Sequence, residues 1–156
     1  MISNRLQEKF DYHSNDKEND MWYHFQMLRT MATDCNVVME LGTRSVVSTW
    51  AFLHGLADSK ERVVLVKENR QQLTLAPAKA LWSYDVIHPK EHGTNTDEVY
   101  SIAEESDVEW NLIIEDSLKT DLPECDLIFF DTDHNYKQLS QELTLHATKS
   151  RKYLIF

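Results

Sequence analysis

The sequence predicts an α/β domain, a doubly wound and mostly parallel sheet with helices between its strands. Three observations predict it. Short apolar runs rich in branched and aromatic side chains alternate with segments whose apolar residues recur every three or four positions, the pattern of strands crossed by helices. The first such run, residues 36–42, stops at Gly42 and leads into a helix that begins with Ser48 and Thr49, the opening of a βαβ unit. A later run, residues 126–130, ends abruptly in Asp131, Asp133 and His134. It delivers polar side chains to the carboxyl end of a strand, where open α/β sheets bind their ligands.

The elements follow in order. Residues 1–19 are polar and charged and read as a loosely held arm or a short helix. From Asp20, a plausible cap, residues Met21, Trp22, Phe25, Leu28 and Met31 write one apolar helical face, more simply read as packing than as a cofactor box. The strand at 36–42 and the helix at 48–56 come next, then strand-like runs at 62–67 and 81–88. A helix over 96–106 carries Val99, Ile102 and Ala103 on one side, with Thr96 or Asp97 as its cap. The strand at 109–116 ends in acids. After the run at 126–130, Tyr136, Leu139, Leu143 and Ala147 mark another helix, and 153–156 begins a last strand.

The 156 residues suffice for one domain, 1–156, with a sheet covered on both faces. A formal charge of -10 opposes binding to nucleic acid or anionic membranes, since no stretch concentrates the basic residues. The start lacks the apolar core of a signal peptide, and no apolar run reaches membrane-spanning length. The expectation is a soluble, cytoplasmic protein with no nucleic-acid or membrane partner. Cys35 and Cys125 stand outside any ligand spacing and read as reduced core thiols.

Several residues carry possible chemistry. Gly42 lets the backbone turn tightly and approach a ligand, and the amides and hydroxyls that follow suit an anionic group such as a carboxylate. A structural turn without ligand is the plain alternative. The GxGxxG fingerprint is absent, with Val46 and Val47 where small residues belong, which argues against a nicotinamide dinucleotide. Asp85 near a strand end can accept hydrogen bonds from both ribose hydroxyls. It lies about twice the usual interval from the glycine turn. Glu68 has the ordinary interval and competes for the role. Preferring Asp85 makes residues 59–79 an insertion. Asp131 and His134 can face one cavity, the carboxylate as a hard oxygen ligand for a metal and the imidazole as a base. The plain alternative is a helix cap and a surface histidine, with Asp133 also able to cap the 136 helix. His88 and His92 lack a third ligand for zinc.

Taken together, the segments 39–50, 81–85, 114–117 and 126–136 resemble class I S-adenosylmethionine-dependent methyltransferases. The nearest likeness is to the branch of sugar and macrolide O-methyltransferases and cephalosporin-hydroxylase-like proteins. It extends over residues 21–156, with the four motifs in the family's order. The resemblance implies a Rossmann-like core whose turn from Glu40 through Gly42 and Thr43 to Ser48 holds the methionine part of S-adenosylmethionine. It also implies Asp85 on the ribose, Asp116 and Ser117 near the adenine, Asp131 on a magnesium ion and His134 as the base toward a small-molecule hydroxyl, possibly of a sugar.

The chain departs from the family at Val46, where a second glycine is usual, and at Ser150 and Arg151, where glycines precede the last strand. It reads as a core truncated after the fifth strand, and the expectation is a homo-oligomer in which a second copy covers the apolar edge. The competing expectations are a non-catalytic relative that binds cofactor or partner without turnover and, more distantly, a nucleotide-dependent reductase.

Overall fold

The structure, a computed structural model, describes residues 2–59, 79–133 and 135–156. The run at 62–67, Glu68, His134 and all of the proposed insertion except its ends at Ser59 and Lys79 lie outside the described residues. In chain order the elements are α1 (Asn4–Asn15), α2 (Trp22–Ala32), β1 (Val37–Leu41), α3 (Val47–Asp58), β2 (Ala80–Asp85), α4 (Thr96–Glu105), β3 (Glu109–Ile114), β4 (Cys125–Phe130), α5 (Tyr136–His146) and β5 (Ser150–Ile155). Among the described residues the strands form one parallel sheet in the order β3-β2-β1-β4-β5. The order reverses at β1 and β4, so a crevice opens between their carboxyl ends.

Alternation along the strands divides the core in two. Val38, Leu81, Trp110, Leu127 and Phe129 face α1 to α4, while Met39, Leu41, Tyr84, Ile128 and Phe130 face Leu139 and Leu143 of α5. The β3–β4 connection crosses the sheet without a helix and plugs the second face with Leu122. Both cysteines are buried thiols, and burial pushes the Cys125 thiol up to about 12.

Residues 4–15 form a full helix, which decides between the two readings of the polar start. Only Leu6 and Phe10 are apolar and buried, yet their four-residue spacing places both on one face against the core. Phe10 packs on Phe25 with ring centroids 5.1 Å apart. Arg5 pairs with Glu105 at 2.6 Å and Lys9 with Glu98 at 3.0 Å, tying α1 to α4. Helix α2 buries Phe25, Leu28 and Ala32 and crosses α3 closely at Gly55, where a Cβ would stand 2.3 Å from the Arg29 carbonyl oxygen.

The caps are asparagines rather than the residues expected. Asn95 accepts from the Glu98 amide at 3.4 Å, in place of Thr96 or Asp97. Asn135 caps α5 by accepting from the Gln138 amide at 2.8 Å, in place of Asp133. Asn19 and not Asp20 accepts from the Met21 amide, at 2.8 Å ahead of α2. Strand β5 forms one edge of the sheet and exposes Arg151 and Lys152, charges that discourage edge pairing. Among the described residues no helix is long and apolar enough to cross a membrane.

Candidate functional site

The carboxyl ends of the parallel strands frame a cleft of about 440 Å³. Gly42, Asp85, Asp116, Ser117 and Asp131 all line it, although they come from four separate stretches of chain. Gly42 adopts φ +91°, and a Cβ there would lie 2.1 Å from the Asp131 carbonyl oxygen. The glycine is therefore required by the crossing of the β1 and β4 ends, whatever approaches from outside. Hydrogen bonds hold this junction, from the Gly42 amide to the Tyr84 carbonyl and from the Asp131 amide to the Leu41 carbonyl, both at 2.8 Å.

Asp85 ends β2 at the cleft wall and organises the turn. One oxygen accepts from the Thr43 and Arg44 amides at 2.8 and 2.7 Å, and the other accepts from the Ile87 amide at 2.9 Å. A carboxylate bridged in this way fixes the glycine turn relative to β2. Its remaining lone pairs are what a diol would meet. Val46 takes the left-handed conformation, φ +61°, at the mouth of α3. Its side chain is buried in the core on the α3 face and lines neither the cleft nor the two cavities beside it.

Glu40 does not face the cleft. It is fully buried, accepting from the Ser48 hydroxyl, from Thr49 Oγ1 at 2.8 Å and from Ser83 Oγ at 2.7 Å. Ser83 in turn accepts from the Trp110 indole at 3.0 Å. Burial pushes the Glu40 carboxyl up to about 7, with the three hydroxyl donors acting in the opposite sense. Glu40 thus serves the site through the residues it holds, chiefly Ser48.

Ser48 and Thr43 line a second cavity, of about 660 Å³, at the amino end of α3. Its wall also carries Arg44, Glu18 and Asp20, so groups of both signs surround the helix amides. A third cavity, also of about 660 Å³, lies between α2, α5 and the ends of β4 and β5. Asp131 and Thr132 line all three spaces and mark where they meet.

Sequence reasoning missed a second buried carboxylate. Glu142 of α5 is fully buried and accepts from Ser117 Oγ at 2.5 Å, Gln138 Nε2 at 2.9 Å and Thr132 Oγ1 at 2.8 Å. His146 adds a bond from Nε2 to the Ser117 carbonyl at 2.7 Å. An acid between Leu139 and Leu143 reads as the solvent side of a helix, and only the tertiary contacts reveal it as an anchor. Val86 and Ile87 were also missed as cleft residues, because they read as a continuation of the strand. They are 65% and 47% exposed beside Asp85 and form an apolar lip of the cleft.

His134 lies outside the described residues, between Asp133 and Asn135. Among the described residues no three metal-competent side chains gather, at Asp131 or elsewhere. A divalent ion needs several oxygen ligands. The residues described at Asp131 therefore do not fit the magnesium site expected from sequence.

No protein-family model and no curated protein matches the chain. Solved structures do. An O-methyltransferase from Streptomyces achromogenes involved in tomaymycin synthesis, in complex with S-adenosylmethionine, superposes over 97% of this chain and 62% of its own, with 13% identity and a TM-score of 0.54. An O-methyltransferase from Bacillus cereus in complex with S-adenosylhomocysteine does so over 96% and 62%, with 17% identity and a TM-score of 0.51. A methyltransferase from Podospora anserina bound to the same product does so over 92% and 56%, with 17% identity and a TM-score of 0.51. The chain shares with these methyltransferases the fold of a Rossmann-like parallel sheet. The present chain spans about 60% of the length of these proteins.

Proposed function

We propose that this chain binds S-adenosylmethionine in the cleft over β1, β2, β3 and β4 and carries the cofactor half of an O-methyltransferase acting on a small-molecule hydroxyl. The observation that carries this reading is the convergence of Gly42, Asp85, Asp116 and Ser117 on one cleft at the point where strand order reverses. The cofactor-bound structures of the same fold support it.

The residues present suit the cofactor's chemistry. Asp85 would accept from the ribose hydroxyls, with Val86 and Ile87 offering apolar cover beside it. Asp116 and Ser117 would border the base. Thr43, Arg44 and Ser48, with the first amides of α3, would meet the carboxylate of the methionine part, and Glu18 its ammonium. When bound, the cofactor supplies an electrophilic methyl: the acceptor oxygen forms the new C–O bond as the S–C bond breaks, sulfur keeps that electron pair, and the hydroxyl proton leaves. His134 is proposed to take that proton, and no metal step is included.

Titration calorimetry with S-adenosylmethionine and S-adenosylhomocysteine tests the reading. Saturable binding of both, weakened at least tenfold by Asp85→Ala, is expected. Folded protein that binds neither would refute it. A domain that binds without turnover is the second reading, favoured by the three backbone amides that already occupy Asp85. Methyl transfer abolished by His134→Ala with binding intact decides against it.

A further inference from the structure

The third cavity has a character of its own. Its floor is formed by Leu28 of α2, Phe129 and Phe130 of β4, Leu139 of α5 and Ile155 of β5, with Met27 at its edge. None of these side chains offers a strong hydrogen-bond partner. Among the described residues its acidic groups are Asp20, Asp131 and Asp133 at the rim and Glu142 in the wall, His24 is the only histidine, and no lysine or arginine lines it. The chain as a whole carries a formal charge of -10, which reinforces that field. Its volume of about 660 Å³ suits a small organic molecule rather than a polypeptide segment. Asp131, Thr132 and Asp133 line both this cavity and the cleft, so an occupant would end beside the proposed cofactor site.

We infer that this cavity takes the acceptor, and that the acceptor is a small hydroxyl compound with an apolar body and a cationic amine. The inference rests on the methyl-transfer reading for its chemistry, while the binding preference rests on the cavity alone. An apolar ring or chain displaces water from the Leu28, Phe129 and Leu139 floor, and an ammonium meets the carboxylates at the rim. A carboxylated or phosphorylated compound would place like charge against Asp20 and Asp133. A sugar would find partners at Thr132, Asn135, Tyr136 and the carboxylates, but would leave the apolar floor facing its hydroxyls rather than a ring or chain. On this inference the acceptor differs from the sugar that the sequence resemblance suggested.

Binding measured on the full chain saturated with S-adenosylhomocysteine tests this, using tyramine, 4-hydroxyphenylacetate and methyl α-glucoside as probes. The first two share a phenol and differ in the sign of their charge. Tyramine is expected to bind about tenfold more tightly than 4-hydroxyphenylacetate, the factor a modest charge-pair difference produces, and the glucoside not measurably. Met27→Arg, at a 43% exposed position that lines only this cavity among the three, is expected to reverse the preference between the two phenols while leaving S-adenosylhomocysteine binding unchanged. Equal binding of the two phenols, preference for the acid or the glucoside, binding of none, or an unaltered preference in a folded Met27→Arg protein each overturns the inference. Failure of S-adenosylhomocysteine to bind, with the tyramine preference retained, would remove the methyl-transfer reading and leave the cavity as an amine site.

Discussion

Two fully buried carboxylates stand behind the cleft on opposite faces of the sheet, and they are built differently. Glu40 sits on a central strand and is held by Ser48 and Thr49 of α3 and Ser83 of β2, all parts of regular elements. Glu142 sits on α5 and gathers Ser117 and Thr132 from the loops that follow β3 and β4, together with Gln138 of its own helix. Among the described residues neither has a cation within its hydrogen-bonded set; three hydroxyls serve Glu40, and two hydroxyls and the Gln138 amide serve Glu142. The difference teaches that one wall of the cleft is fixed by the sheet itself, whereas the other is an assembly of loops tied down by a single helix residue. Disturbing Glu40 should act mainly on folding, and disturbing Glu142 mainly on binding.

The two walls touch at Gly42, and the largest effect is expected there. Gly42→Ala forces a Cβ against the Asp131 backbone at a left-handed φ, and a loss of more than about 4 kcal/mol or failure to fold should be seen by chemical denaturation. A well-folded alanine variant of ordinary stability would show that the walls are not rigidly joined.

Glu40 should next reveal itself through pH. Its carboxyl is raised from 4.5 to about 7 in the folded protein, so the folded state holds the proton more tightly than the unfolded chain does. That contribution is complete below about pH 4.5 and is lost as pH rises through 7, amounting to about 3 kcal/mol. The difference between wild-type and Glu40→Gln unfolding free energies should carry this slope. Parallel curves would mean that folding leaves the Glu40 carboxyl near its ordinary value.

Glu142→Ala leaves three donors without their acceptor and should cost about 2 kcal/mol. Its more telling readout is S-adenosylhomocysteine affinity, which should fall several-fold further than in Leu143→Ala, a truncation on the same helix that touches no cleft residue's hydrogen bonds. Equal losses would reduce Glu142 to ordinary packing.

The smallest effect is expected on the Glu40 side. Val46→Gly relieves a left-handed β-branched residue, a gain of about 1–2 kcal/mol, while removing a buried side chain, a loss of about 1.5–3 kcal/mol. Net stability should move by only about 1 kcal/mol, and a large destabilisation would mean that the strain is overestimated.

Much of the fold was legible because periodicity reports burial directly. The alternation of β1, β2, β3 and β4 with α3, α4 and α5 could be read from runs of apolar residues, and Gly42, Asp85, Asp116 and Asp131 from their places at strand ends. Helix α1 was harder, since two apolar residues in twelve are a faint stripe. Tyr136, one of the residues that marked the last helix, is 88% exposed, while Glu142 on that helix is fully buried. A pattern of hydrophobicity cannot announce a buried acid, because the acid is buried only where other segments bring it donors.

By itself the sequence determined a parallel α/β sheet, the glycine turn, and acids at the strand ends, because each of these depends on a few consecutive residues. Only the tertiary structure decided which of those acids face the cleft. It turned Glu40 inward, spent Asp85 partly on the amides of the turn, and recruited Glu142, Val86 and Ile87. The physical reason is that whether a polar group is buried and satisfied or left to meet a ligand is set by partners far away in the chain. Ser117 and Glu142 meet across 25 positions, and Asp85 and Thr43 across 42.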